Sequence, residues 1–183
     1  MGSFLVWMDL EMSGLDPERQ VILEIASMVT NDELEIVSAG PNIVIHYPDK
    51  ALETMEEWSR TQHTATGLLK KVKASDYDCR RAEQETLKFV KSFCAKGESP
   101  LCGNSIGQDR RFLTKYMPVL EDYLHYRNVD VSTIKELVQR WYPGFPPFMK
   151  QKTHLALNDI KESIQELKHY REKFFVARRA WLA

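Results

Sequence analysis

An apolar run near the start of the chain ends in two acidic residues. The run reads Phe-Leu-Val-Trp-Met at positions 4–8, and Asp9 and Glu11 follow it. Successive side chains on a β-strand alternate between its two faces, so positions two apart point the same way. The two carboxylates would therefore meet at one point, where they repel each other unless a cation lies between them. Because hard divalent ions prefer carboxylate oxygen, the pattern predicts a metal-dependent enzyme.

The same Asp-x-Glu spacing occurs a second time a few residues later. This copy, Asp16-Pro17-Glu18, follows Gly14 and contains a proline, which indicates a loop and not a strand. Only the first copy ends an apolar strand. Since the spacing alone arises often by chance, the metal site requires further acids from elsewhere in the chain.

Size and composition favour one ordinary domain. The chain has 183 residues, of which 43% are hydrophobic and 28% charged, so we expect a single domain over residues 1–183. No uncharged stretch reaches the length of a membrane span, and no secretory signal is visible. Cys79, Cys94 and Cys102 lack a metal-ligand spacing, which favours buried free thiols in a reducing compartment. We therefore expect a cytoplasmic protein without a membrane partner.

The net charge limits the class of nucleic acid that the chain could bind. Proteins that grip long nucleic acids make many Lys or Arg contacts to phosphate and are usually basic, whereas this chain has a net charge of −1. A nucleic-acid substrate would therefore be short, and a long duplex is not an expected partner.

Hydrophobic periodicity predicts an α/β domain with a mixed sheet. Three early strands form an antiparallel meander, and two short strands follow later; they are predicted at 4–8, 21–29, 42–46, 100–104 and 128–131. Helical composition is found at 52–58, 64–72 and 80–95, around Phe112, from Thr133 to Trp141, and at 153–171. Thr133 and Glu136 have the spacing of a capping box. A proline-rich loop precedes the last helix.

Further acids lie where these elements could bring them to the first pair. Asp109 lies early in the helix after the strand at 100–104, and Asp159 lies in the first turns of the last helix, five residues after His154. An acid in a first helical turn is also favoured by the helix dipole alone. Together with Asp9 and Glu11, however, they make four carboxylates and one histidine. That set suits a two-metal site for the attack of water on a phosphodiester.

Three segments of the chain resemble known motifs. Asp9 to Asp16, Gly103 to Asp109 and His154 to Ile160 are similar to the three motifs of the DEDDh family of 3′-to-5′ exonucleases, in the family's chain order. Trp58 with the following Thr-x-His-Thr, and the segment 130–137, make the chain most similar to the oligoribonuclease branch, which acts on short RNA. Two positions differ from the usual pattern, since Leu155 and Asn158 replace Arg and Asp.

The resemblance implies a fold, a cofactor and a set of catalytic residues. The fold would be an RNase H-like mixed β-sheet flanked by α-helices. Asp9, Glu11, Asp109 and Asp159 would bind two divalent cations, Mg²⁺ or Mn²⁺. His154 would be the general base, because histidine has an unperturbed pKa near neutrality. The proline-rich segment from Tyr142 to Lys152 would carry it as a flap.

The resemblance also implies substrate contacts and a partner. Leu15 would wedge against the terminal base and Trp58 would stack on it, whereas ordinary core packing is the alternative for Trp58. The residues expected to hold the 5′ phosphate are Ser105, Arg127, Ser132 and Thr133. Helix capping is the alternative for the last two. The protein would be a homodimer in which Tyr126 reaches the active site of the partner.

These inferences predict a 3′-to-5′ exoribonuclease that degrades very short oligoribonucleotides, especially dinucleotides, to 5′ mononucleotides by two-metal-ion hydrolysis. One alternative is a DEDDh exonuclease that acts on longer RNA or DNA 3′ ends. Another is a binding module that has the fold without catalysis, although the presence of all four acids and the histidine argues against it.

Overall fold

The sheet is built around the apolar segment that carries Asp9 and Glu11. The computed structural model describes residues 4–150 and 156–176. Its strands are β1 (Phe4–Met12), β2 (Ile22–Asn31), β3 (Ile36–Val44), β4 (Pro100–Gly103) and β5 (His125–Asp130). They form one five-stranded sheet in the order β3-β2-β1-β4-β5. β1, β2 and β3 pair antiparallel, while β4 pairs parallel with both β1 and β5, so the predicted meander and mixed sheet are confirmed.

Helices cover both faces of this sheet. They are α1 (Glu57–Ala65), α2 (Leu68–Ala74), α3 (Cys79–Lys91), α4 (Ile106–Tyr116), α5 (Pro118–Tyr123), α6 (Val131–Trp141) and α7 (Ala156–Phe174). A short 3₁₀ helix, Asp49–Leu52, precedes α1. This arrangement confirms the prediction of an α/β fold with a mixed sheet flanked by helices.

Side-chain alternation along β1 divides the core into two layers. Val6 and Met8 pack on one face, in a cluster that includes Phe112 of α4. Trp7 faces the other way and packs with Ile160 and other residues of α7. Its indole Nε1 donates a 3.0 Å hydrogen bond to the Thr30 hydroxyl, so the polar edge of the ring is satisfied within the core. β1 is buried on both faces and is held at the centre of the sheet.

Several predicted boundaries differ from the structure. β3 begins at Ile36, six residues before its expected start at position 42. The prediction missed these residues because Gly40 and Pro41, which lie just before position 42, resemble a loop in the sequence. A proline is tolerated there because β3 is an edge strand. The helix predicted at 52–58 is wrong, since the 3₁₀ helix ends at Leu52 and α1 begins at Glu57.

The later elements show smaller differences. The short helix α5 was not predicted. The predicted capping box at Thr133 is wrong, because α6 begins at Val131 and the Asp130 side chain caps it by accepting a hydrogen bond from the Ser132 N–H. Residues 153–155 of the last predicted helix lie outside the described residues, and the described helix continues to Phe174.

The cysteines follow the prediction. All three are free thiols, with Cys94 and Cys102 buried and Cys79 partly buried. Among the helices of residues 4–150 and 156–176, none has both the length and the apolar character needed to cross a membrane.

Phe112 anchors α4 in the core, so its truncation should be costly. The side chain is fully buried, and we expect Phe112→Ala to lower the free energy of unfolding by about 3–5 kcal/mol, because a large cavity is left behind. Urea denaturation monitored by circular dichroism measures this. Lys88→Ala, at an exposed position of α3, is the control and should change the same quantity by less than about 0.5 kcal/mol. A similar loss for both variants would contradict this account of the core.

Candidate active site

Three carboxylates converge at one end of the central strand. Asp9 and Glu11 project from β1, and Asp159 projects from the first turn of α7. One carboxylate oxygen of each lies within 4.8 Å of one oxygen of each of the others. The side chains at 9 and 11 share a face of β1, as the alternation of a strand requires. Such a group of oxygen ligands could hold a divalent metal ion.

Asp109 is tied to the same place by a backbone hydrogen bond. It lies in the first turn of α4 and is buried. Its Oδ1 accepts a 2.9 Å hydrogen bond from the N–H of Leu10, the residue between Asp9 and Glu11. The structure therefore brings all four predicted acids together from three separate segments of the chain.

Burial and mutual repulsion raise the pKa values of these acids. Burial raises the pKa of Asp9 well above its usual value, and the charges of Asp109, Glu11 and Asp159 add to the effect. Burial, followed by the charge of Asp159, raises the pKa of Glu11 to about 8. The pKa of Asp109 rises to about 7 through burial, although the hydrogen bond from Leu10 opposes the shift.

These shifts indicate what kind of ligand the cluster favours. Anions held close together in a low-dielectric site are stabilised by a bound cation, and carboxylate oxygens are the ligands that Mg²⁺ and Mn²⁺ prefer. The donor set of this chain therefore fits the divalent cations that the sequence predicts.

Glu24 is a further acid beside the site, and it was not among the predicted site residues. It lies on β2 opposite Glu11 and is only 3% exposed. Burial raises its pKa, while Lys71 and a hydrogen bond with Asn42 lower it. The sequence signal was available, because Glu24 is the only charged residue in the apolar run 21–29.

His63 also lies next to the carboxylates. It is 3% exposed, its Nε2 lies 2.9 Å from the Met12 carbonyl oxygen, and its Nδ1 lies 3.9 Å from Glu11 Oε2. His63 belongs to the Thr-x-His-Thr segment that resembles the family, but the resemblance implied no role for it. Periodicity could not reveal it, since the contact joins α1 to the end of β1.

A buried polar cluster surrounds Glu166, about two helical turns after Asp159 on α7. The Glu166 carboxylate of α7, which is 1% exposed, accepts hydrogen bonds from Asn104 Nδ2 (3.1 Å) and Tyr170 OH (3.2 Å) and pairs with Lys150 Nζ at 2.8 Å. The Lys150 charge also lowers the pKa of Asp9. The end of the proline-rich loop is therefore held close to the acids.

The predicted general base lies outside the described residues. His154 and Leu155 belong to the segment 151–155, so the role of His154 stays a prediction. Asn158, the other departure from the family pattern, lies in the first turn of α7 next to Asp159.

The two predicted base-contacting residues are on the surface. Leu15 is 62% exposed and Trp58 is 65% exposed, so Trp58 is not a core residue. Two hydrogen bonds fix the loop that carries Leu15. The Leu15 N–H donates to Glu56 Oε1 (3.3 Å), and the Leu15 carbonyl oxygen accepts from Gln108 Nε2 (2.5 Å). Gln108 directly precedes Asp109, so this loop is held beside the acids.

Ser105 and Ser132 meet at the start of two helices. The Ser105 N–H donates to Asp130 Oδ1 (3.0 Å) and to the Ser132 hydroxyl (3.2 Å). Ser105 has a φ of +52°, a left-handed conformation that is uncommon for residues other than glycine and occurs often at functional sites. Thr133 lies exposed in the first turn of α6, at the same corner.

Tyr126 and Arg127 lie together on β5. Tyr126 is 74% exposed, and the Arg127 guanidinium lies 5.3 Å from the centre of its ring, within the range of a cation–π contact. Both side chains are available to a ligand or to another protein.

The raised pKa values predict how stability changes with pH. In protein stripped of divalent ions with a chelator, folded Glu11 has a pKa of about 8, whereas its ordinary value is 4.5. The folded state then binds a proton that the unfolded chain releases, so this contribution to stability is present below pH 4.5 and lost as the pH rises to about 8. We expect Mg²⁺ or Mn²⁺ to raise the melting temperature more at pH 7.5 than at pH 5.5.

Thermal unfolding with and without the ion at both pH values is the measurement. Asp9→Asn should reduce the dependence on pH and on metal, because it removes one of the repelling charges. Glu57→Gln, at an exposed position of α1, is the matched control and should leave both unchanged. If Asp9→Asn and the parent protein respond identically, the cluster does not bind the ion.

Comparison with known proteins agrees with this geometry. The family model described as Exonuclease matches residues 6–167. The oligoribonuclease of Marinobacter nauticus is 56% identical over 175 residues, which are 95% of this chain and 97% of that protein. The oligoribonuclease of Escherichia coli (strain K12) is 56% identical over 171 residues, 93% of this chain and 94% of that protein.

Solved structures show the same fold at low sequence identity. Exonuclease I from Methylocaldum szegediense aligns with a TM-score of 0.63 and 15% identity over 94% of this chain. Another exonuclease I structure gives a TM-score of 0.68 and 12% identity over 93% of it. The chain spans 41% of the length of each of these exonuclease I chains, so they support only the RNase H-like fold. The family match and the two close relatives show that this chain belongs to the oligoribonuclease family of exonucleases.

Proposed function

We propose that this protein is a metal-dependent 3′-to-5′ exoribonuclease that hydrolyses very short RNAs, especially dinucleotides, to 5′ mononucleotides. The observation that carries the proposal is the convergence of Asp9, Glu11 and Asp159 within 4.8 Å, with Asp109 tied to them through Leu10. The names of the close relatives support the short RNA substrate.

The four acids are the proposed ligands of two divalent cations, Mg²⁺ or Mn²⁺. When bound, the cations supply Lewis acidity that favours formation of the hydroxide nucleophile and neutralises charge on the scissile phosphate. The protein contributes the fixed placement of the ligands, since two come from one strand and two from helix starts. In the sequence, His154 follows the anchored Lys150 by four residues. Its proposed role is to take the proton from the attacking water.

Exposed apolar side chains supply the proposed grip on the bases. Leu15 and Trp58 are both exposed on the protein surface. Stacking of a base on an aromatic ring is worth about 1–3 kcal/mol, a large share of the affinity for a dinucleotide. The hydrogen bonds that fix the Leu15 loop to Glu56 and Gln108 support a preformed contact.

The corner where α4 and α6 begin is the proposed site of the 5′ phosphate. Ser105, Ser132 and Thr133 lie there, and Arg127 lies nearby on β5. The Ser132 N–H and hydroxyl both donate to Asp130, so the Arg127 guanidinium and the Thr133 hydroxyl are the main donors that we assign to the phosphate. A site closed at this end would exclude longer chains by steric contact.

The proposed assembly is a homodimer of one exonuclease domain over residues 1–183. Tyr126 is 74% exposed and would reach the active site of the partner copy. The free thiols support a cytoplasmic protein. The alternative function is a DEDDh exonuclease acting on longer RNA or DNA 3′ ends.

A length series separates these two functions. Turnover of RNAs from two to ten nucleotides, with Mg²⁺ and with a chelator, should be fastest for the dinucleotide and fall steeply beyond a few nucleotides. Release of 5′ mononucleotides should require the ion. A rate that stays level up to ten nucleotides would support the alternative. No release with Mg²⁺, or with Mn²⁺ in its place, would contradict both functions. Asp159→Asn, which removes one proposed metal ligand, is the inactive control.

A second measurement tests the general base. We expect His154→Ala to lower kcat by about 10²–10⁴-fold at neutral pH, because proton transfer to a positioned side chain is lost, while metal binding largely persists. Mn²⁺ titration by calorimetry checks the second part. His46→Ala, at an exposed position before the 3₁₀ helix, should leave kcat unchanged. Unaltered turnover of His154→Ala would remove this histidine from the mechanism.

A further inference from the structure

The edge strand β5 contains a bulge at the two residues to which substrate contacts are assigned above. Pro100 of β4 pairs with His125, but the next residue, Leu101, pairs with Asn128. One step along β4 thus corresponds to three steps along β5, and Tyr126 and Arg127 are the two extra residues. Bulges occur often beside active sites, where they redirect side chains and leave backbone groups outside the ladder.

One guanidinium binds the backbone of this bulge. Arg110 Nη2 donates to the His125 carbonyl oxygen (2.7 Å), and Nη1 donates to the carbonyl oxygen of Tyr126 (2.9 Å) and to Asn128 Oδ1 (2.6 Å). The Arg127 carbonyl oxygen lies 3.5 Å from Nη1. Arg110 Nε donates to Glu121 Oε1 at 2.9 Å, and this acid neutralises the guanidinium.

The position of Arg110 in the chain links the bulge to the acids. It directly follows Asp109 in α4, and Asp109 is bound to β1 through the Leu10 N–H. Two neighbouring residues of one rigid helix therefore hold β1 and β5. This short, covalently continuous link connects the carboxylate cluster to the backbone of the bulge.

We propose that Arg110 is a positioning residue that fixes the bulge, and with it Arg127, at a set distance from the carboxylates, so that the enzyme selects short 5′-phosphorylated substrates. The inference rests on the proposed function, which assigns the 5′ phosphate to this corner. Only arginine offers five donors in a planar fork, and a lysine ammonium cannot reach carbonyl oxygens on three residues and Glu121 together.

The test compares substrates that differ at one end only. Arg110→Met and Arg110→Lys would be assayed in the full chain with Mg²⁺ on an RNA dinucleotide with a 5′ phosphate, on the same dinucleotide with a 5′ hydroxyl, and on a 5′-phosphorylated pentanucleotide. For the phosphorylated dinucleotide we expect kcat/KM to fall about 10–100-fold, mainly through KM, because a misplaced contact loses most of its value.

The other two substrates distinguish positioning from a general structural effect. Turnover of the 5′-hydroxyl dinucleotide should change by less than about threefold, and the preference for the dinucleotide over the pentanucleotide should narrow. Arg110→Lys should resemble Arg110→Met. Arg80→Met, at an exposed position of α3, removes the same charge and is the control expected to match the parent protein.

Hydrogen exchange gives a readout that does not depend on activity. Peptides that cover residues 122–130 should exchange faster in Arg110→Met, while peptides from β1 should be unchanged. Equal losses on the 5′-phosphate and 5′-hydroxyl dinucleotides would overturn the proposal, because Arg110 would then act on the carboxylates. Unchanged exchange at 122–130 would overturn it as well.

The parent protein separates this inference from the proposed function. If the parent does not distinguish the two dinucleotides, the proposed phosphate corner fails and the positioning role fails with it. If the parent distinguishes them and Arg110→Met does so equally well, the positioning role alone is refuted.

Discussion

The active site depends on holding four carboxylates close together at a buried position. Four carboxylates from β1, α4 and α7 lie at one end of the central strand, and burial raises the pKa values of Asp9, Glu11 and Asp109. The Leu10 N–H is a neutral donor that favours the charged form of Asp109 and so opposes the rise in its pKa, which suits a cation ligand.

Many polar groups near the site already have a hydrogen-bond or ion-pair partner within the protein. Few such groups are therefore left to bind substrate. Asp130 occupies the donors at the start of α6, and Glu166 is enclosed by Lys150, Asn104 and Tyr170. This local pairing agrees with a net charge of −1, since binding a small ligand needs a few placed donors and not a basic surface. The affinity for a dinucleotide would then come largely from stacking and from the bound cations.

Sequence reasoning succeeded where a pattern follows from local geometry. The alternation of β1 predicted that Asp9 and Glu11 share a face. Asp109 was expected early in the helix after the strand at 100–104 and Asp159 at the start of the last helix, and the structure brings both close to the first pair. It failed where tertiary contacts decide. Neither His63 on α1 nor Arg110 on α4 has a periodic signal that indicates its contact with Glu11 or with the bulge of β5. The predicted strand β3 was too short, because Gly40 and Pro41 resemble a loop in the sequence.

The proline in β3 has a consequence for assembly. β3 and β5 are the two outer strands of the sheet, and an unprotected outer strand invites another chain to extend the hydrogen-bond ladder. Pro41 has no N–H to donate from β3, and the two extra residues at 126 and 127 distort β5. Neither outer strand is a regular template, so pairing of the sheets of two copies through these strands is disfavoured. The same protection disfavours amyloid-like stacking of the native protein.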